Sequence, residues 1–115
     1  MASLMRDFKD KNELNDSNNV KVIVDKDNYS INFSRFPMNS YSDNYKHIGV
    51  YAFRKETLIE FSKMEKTLME KKEKIECLRY IENGKKIKMF KTDFSGVSID
   101  TPEDLIKAEE YIRKQ

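Results

Sequence analysis

Five positions in this sequence could do chemistry by their type and spacing. His47 opens the run His-Ile-Gly-Val-Tyr. In a strand, positions 47, 49 and 51 share a face, so His47 and Tyr51 would flank the bare Gly49. That is either a shallow slot with a polar group at each end, suited to a sugar or another small polar ligand, or a surface His beside a half-buried Tyr. Glu76 lies between Ile75 and Leu78, near the buried stripe of an amphipathic segment. A carboxylate there needs a partner or a ligand, and Arg79, three residues on, could supply the partner as a simple helix pair. Cys77 with His47 would make a nucleophile and base, but a lone thiol inside a helix reads first as packing. Asp100 stands just before Thr101-Pro102-Glu103-Asp104. Thr101 caps a helix, Pro102 suits its first turn, and the two acids complement its positive end. None of this explains a carboxylate at the tip of the preceding strand.

The elements that would carry these residues follow from periodicity. Ser3 to Phe8 is a short strand or an exposed tail, and Asp10 to Asn15 a helical turn. Val20, Val22 and Val24 alternate with Lys21, Ile23 and Asp25, and Tyr29 to Ser34 alternates again after a Lys26-Asp27-Asn28 turn. These two runs predict a β-hairpin with Tyr29, Ile31 and Phe33 on one face. Phe36 to Asn44 is a loop, and HIGVYAFR a third strand. Lys55 to Lys66 predicts a helix with Leu58, Ile59 and Phe61 inward. Glu70 to Glu82 predicts a second, with Met69, Ile75, Leu78 and Ile81 as core positions, stopped by Asn83 and Gly84. A strand at Lys85 to Phe90, a loop or short strand at Lys91 to Val97 and a last helix from Pro102 to Arg113 complete an α/β chain in one domain spanning 1–115.

Composition excludes several classes. Of the 115 residues, 37% are charged and 38% hydrophobic, and 22 Lys and Arg nearly balance 20 Asp and Glu. Basic residues are interspersed with acidic ones, so no nucleic-acid patch is expected. Three glycines cannot build a GxGxxG or P-loop, and one Cys with one His cannot build a zinc set. A single Cys fits a reducing compartment, and the sequence offers neither a membrane span nor a signal peptide core. The expectation is a cytoplasmic protein without a membrane partner.

Five motifs then carry a resemblance. YSINFSR, KHIGVYAFR, MEKKEKIECLR, NGKKIKM and GVSIDTPEDL occur in this order, and the chain resembles the C-terminal half of the 3-deoxy-manno-octulosonate cytidylyltransferases, firmly from Val20 to Ile112 and loosely over Ser3 to Asn15. It departs at Asn32, where the family often has Tyr, at Cys77, where it has Gln, at Ser98, and in the loop after Phe36, which lacks an Ile-Pro-x-x-Arg signature. The resemblance implies a Rossmann-like nucleotidyltransferase fold with a dimerising hairpin region. It implies an enzyme that joins CMP from CTP to 3-deoxy-manno-octulosonate (Kdo), or a related sugar acid, for lipopolysaccharide synthesis. It assigns Arg35, His47, Tyr51 and Glu76 to the sugar-acid pocket and Asp100 to Mg²⁺. It implies a homodimer formed through the hairpin and the loop after Phe36, where Tyr29, Ile31, Phe33, Phe36 and Met38 are concentrated. The family's N-terminal, CTP-binding half has no counterpart here, so the expectation is a fragment inactive alone; the alternative is a non-catalytic sugar-acid-binding or dimerisation module.

Overall fold

The computed structural model describes residues 1–93 and 102–114. Five strands form one mixed sheet in the order β3-β2-β4-β1-β5. They are β1 (Ala2–Arg6), β2 (Lys21–Val24), β3 (Ser30–Ser34), β4 (Tyr45–Ala52) and β5 (Lys88–Lys91). All neighbours are antiparallel except β1 and β5, which run parallel. The first run of the sequence is therefore neither tail nor edge: β1 is the strand between β4 and β5. The two outer strands also meet at one end, where the Ser30 amide donates to Ile87 O at 2.8 Å and the Ile87 amide donates to Ser30 Oγ at 2.9 Å.

The helices are α1 (Lys11–Asn15), α2 (Lys55–Lys63), α3 (Leu68–Glu73), α4 (Cys77–Glu82) and α5 (Pro102–Arg113). Ile75, Cys77, Leu78 and Tyr80 form one core with Met5, Val22, Phe33, Ile87 and Met89 of the sheet. Asp10 caps α1 by accepting from the Glu13 amide, and Thr67 caps α3 by accepting from that of Glu70, as short polar side chains at helix starts do. Gly84 ends α4 at φ 76°, a left-handed conformation that costs glycine little.

Three expectations need correction. The hairpin does not place Tyr29, Ile31 and Phe33 on one face. Ile23 pairs with Asn32 but Val24 pairs with Ser30, so Ile31 is bulged out of the ladder. The bulge turns Ser30 and Phe33 inward and leaves Tyr29 and Ile31 exposed. Lys21 of β2 is wholly buried, with its ammonium donating to Asp16 O at 2.8 Å and Arg35 O at 2.6 Å. Leu58 and Ile59 are exposed, and only Phe61 of the expected inner trio packs against the core. Finally, Glu70 to Glu82 is two short helices, not one. Lys74 sits in the left-handed region between them at φ 58° and ψ 45°.

The break explains a further difference. Met69 is exposed and Glu70 takes the inner position instead. Glu70 is matched by Arg79 of α4 in a bidentate pair, with Arg79 Nε and Nη2 donating at 2.9 and 2.6 Å. The guanidinium also lies 4.9 Å from the Phe61 ring centroid. Arg79 is thus the partner of Glu70 and not of Glu76. A second buried pair fixes the end of β1, where Arg6 donates through two nitrogens to Glu13 at 2.9 Å each.

Candidate functional site

β4 carries His47 and Tyr51 on one face, but the slot expected between them is closed. Leu4 of β1 pairs with Ile48 while Ser3 pairs with Tyr51, so Gly49 and Val50 form a two-residue bulge. Four residues of regular strand would separate the two positions by about 13 Å. With the bulge, the His47 and Tyr51 ring centroids lie 5.6 Å apart. The Ser3 hydroxyl sits under the bulge, 2.9 Å from His47 Nε2 and within hydrogen-bond reach of the carbonyls of Ile48 and Val50. Phe33 meets the His47 ring edge-on at 5.1 Å. Burial holds the imidazole down to a pKa of about 4. At neutral pH His47 is therefore uncharged, and can donate or accept one hydrogen bond but cannot neutralise an anion.

The open space lies on the other side of Tyr51. A cleft of about 220 Å³ is lined by Met1, Tyr51, Phe53, Leu58, Phe61, Glu76 and Cys77. Tyr51 and Cys77 meet at its floor, with the phenol oxygen 3.1 Å from Sγ. Burial, the Cys77 thiol and the Glu76 charge, in that order, raise the phenol well above its ordinary range. The thiol is likewise pushed up to about 11, chiefly by burial. Cys77 is thus an inert packing thiol at neutral pH, in keeping with its place in the sequence. Glu76 is exposed at the start of α4 and also borders a second depression with Lys66, Glu70, Lys71 and Lys74. The carboxylate therefore has an apolar wall on one side and lysines on the other.

Arg35 stands apart from this group. Its Nε donates to Glu73 O at 2.7 Å, Nη2 to Lys74 O at 3.1 Å and Nη1 to Ser17 O at 3.2 Å. The expected fork toward a carboxylate is instead spent on main-chain carbonyls. Of the site residues named from the sequence, the structure gathers His47, Tyr51 and Glu76 around one region and gives Arg35 a different set of partners. Asp100 lies outside the described residues. The sequence missed the Tyr51–Cys77 contact, which joins positions 26 apart and leaves no local signal.

The mixed sheet with α4 on its face is that of a nucleotidyltransferase-like α/β protein. It matches 98% of this chain, with a TM-score of 0.86 and 28% identity, to 48% of a solved chain described as CMP:2-keto-3-deoxy-manno-octonic acid synthetase complexed with CTP. A family model for cytidylyltransferases matches residues 1–87, and the chain belongs to that family. Its relatives include the 3-deoxy-manno-octulosonate cytidylyltransferase of Christiangramia forsetii, 48% identical over 97% of this chain and 48% of its own length. The enzyme of the same name from Flavobacterium johnsoniae is 44% identical over 98% of this chain and 49% of its own. The chain thus spans about half the length of the curated relatives it matches.

Proposed function

We propose that these residues form the sugar-acid side of an enzyme that transfers CMP from CTP to Kdo or a related 3-deoxy sugar acid, in the synthesis of lipopolysaccharide. The observation that carries the reading is the convergence of Tyr51 and Glu76 on one cleft, with His47 packed behind, in a chain whose relatives bear that enzyme's name. Glu76 accepts hydrogen bonds from sugar hydroxyls. The Tyr51 phenol stays protonated and offers a donor, and Phe53, Leu58 and Phe61 cover the apolar face of the ring. Uncharged His47 orients Tyr51 through ring contact. In the transfer, a sugar hydroxyl oxygen forms a bond to the α-phosphorus of CTP, the bond to the β-phosphate oxygen breaks, and pyrophosphate leaves as the hydroxyl proton is lost. Holding the sugar oxygen in line is the contribution asked of this half.

Among the described residues no three His, Cys, Asp or Glu side chains converge in a way that could hold a metal. Mg²⁺ is proposed on the chemistry of Asp100 alone, as one carboxylate that substrate phosphates would complement. The proposal extends to a homodimer, for which exposed Tyr29, Ile31 and Phe36 supply an apolar set beside the hairpin. It extends to a cytoplasmic setting, where CTP is available. No described helix is long and apolar enough to cross a membrane. A second reading, a non-catalytic sugar-acid-binding or dimerisation module, is favoured by exposed Tyr29, Ile31 and Phe36, which lie outside the cleft lining and suit assembly better than chemistry.

Because the proposal gives these residues the sugar side, and their three glycines make no phosphate loop, the 115-residue chain incubated with CTP, Kdo and Mg²⁺ is expected to release no pyrophosphate above background. Turnover approaching the enzyme median of about 10 per second would overturn the assignment of these residues to the sugar side alone.

A further inference from the structure

We infer that Arg35, backed by Lys21, is a positioning residue: it holds the left-handed turn at Lys74 and so fixes where Glu76 and Cys77 stand at the cleft. The argument begins with a competition that the sequence itself contains. Residues 70 to 82 have the apolar periodicity of one unbroken helix. In that helix the carbonyls of Glu73 and Lys74 would accept from the amides of Cys77 and Leu78, four residues on. In the structure those two carbonyls accept from Arg35 instead, at 2.7 and 3.1 Å, and the Leu78 amide turns to Ile75 O at 3.2 Å. The guanidinium therefore occupies the two acceptors that propagation of α3 into α4 requires. Its positive charge also suits the carbonyl end of α3.

The turn needs such support. Lys74 has φ 58°, a region disfavoured for any residue with a Cβ and retained only where the surroundings enforce it. Joining α3 to α4 as one helix would rotate Glu76 and Cys77 about the axis by roughly 100° per residue re-formed. That would break the Tyr51–Cys77 contact and withdraw Glu76 from the cleft. Lys21 fixes the other side of the clamp. Its buried ammonium holds the carbonyl of Arg35 itself at 2.6 Å and that of Asp16 at 2.8 Å, next to Ser17, whose carbonyl takes Arg35 Nη1. Two cations from the β2–β3 hairpin thus tie three separate chain segments at five carbonyls. A lysine at position 35 could not repeat this, because an ammonium is a point donor without the planar fork.

The purpose of the positioned groups rests on the sugar-acid reading, but the test needs no substrate, so failure of one is distinguishable from failure of the other. Cys77 is the chain's one cysteine, and its alkylation rate reports how well the turn stays closed. In R35Q, measured well below the melting temperature, alkylation is expected to rise about ten-fold or more as the turn opens. Far-UV helicity is expected to rise as α3 and α4 merge. R35K keeps a charge at the site and serves if R35Q does not fold; it is expected to show the same changes to a smaller degree. Adding K74G, which adopts the left-handed turn without penalty and disfavours helix, is expected to return the rate of either variant to within about three-fold of the starting protein. An Arg35 that served only as a ligand to substrate would leave thiol reactivity and helicity unchanged in the absence of that substrate. Unaltered alkylation in both Arg35 variants, or accelerated alkylation that K74G does not slow, would overturn the inference.

Discussion

Replacing Arg79 by Met is expected to destabilise the fold by about 3–5 kcal/mol, the cost of leaving a buried carboxylate without its cation. Glu70 is 4% exposed and its two oxygens are both held by Arg79. The Arg79 hydrogen bond is also the first cause that keeps its carboxyl below the usual range. A native-state carboxyl held low contributes stability above its ordinary value that is lost as pH falls. In R79M the sign reverses. Desolvation, the largest cause left, would then raise Glu70 against the smaller lowering by the Thr67 amide and the Lys66 charge, so the variant should regain stability as acid protonates the orphaned group. Urea unfolding at pH 7 and pH 5 would show this as a midpoint that moves up on acidification in R79M. The paired change E70L/R79M removes both charges and is expected to recover most of the loss. A single variant as stable as the starting protein would mean that the α3–α4 junction is not held by this pair.

Phe33→Ala is the second large effect, expected at about 3–5 kcal/mol. The ring is 1% exposed and is the largest wholly buried apolar side chain in the core. It also shields one edge of His47. His47 has an ordinary value of 6.5 and is held down to about 4 by burial. A histidine depressed in the folded state binds fewer protons there than in the unfolded chain. Its contribution is therefore full above about 6.5 and is lost as pH falls toward about 4. Opening a cavity beside the ring lets water reach it. The proton NMR titration of the lone imidazole should move upward from about 4 toward 6.5 in F33A, and the acid-side loss of stability should flatten over the same window. An unmoved titration would show that Phe33 does not dry the site.

Much of this was legible in the sequence, because most elements rest on local signals. The hairpin, the Asn83–Gly84 stop, the last helix and the strand bearing His47 follow from alternation, caps and turn residues over a few positions. What was not legible depends on bulges and on long side chains. Nothing near Ile31 or Gly49 marks an extra residue in a ladder, since a bulge is set by the partner strand. Yet these two bulges decide that Ser30 faces inward and that His47 touches Tyr51. The break at Lys74 was hidden because a lysine carries no turn signal. Its cause is Arg35, 39 residues away. Glu76 was named from its place near an apolar stripe, and it does reach the cleft, but its expected partner Arg79 belongs to Glu70. Arg35 came from the motif that contains it, and a motif does not say which acceptors the guanidinium will find.

The central claim is that Tyr51 and Glu76, with His47 behind them, form the pocket for a sugar acid. The lone His47 gives a direct reading of it by NMR. Titrating Kdo into the protein is predicted to shift the imidazole resonances and the Tyr51 ring resonances along one saturating curve. In Glu76→Gln the same curve should need about ten-fold more Kdo, the loss of one hydrogen bond to a charged acceptor. Imidazole and Tyr51 signals that stay still through millimolar Kdo, or a curve that Glu76→Gln leaves unchanged, would contradict the account.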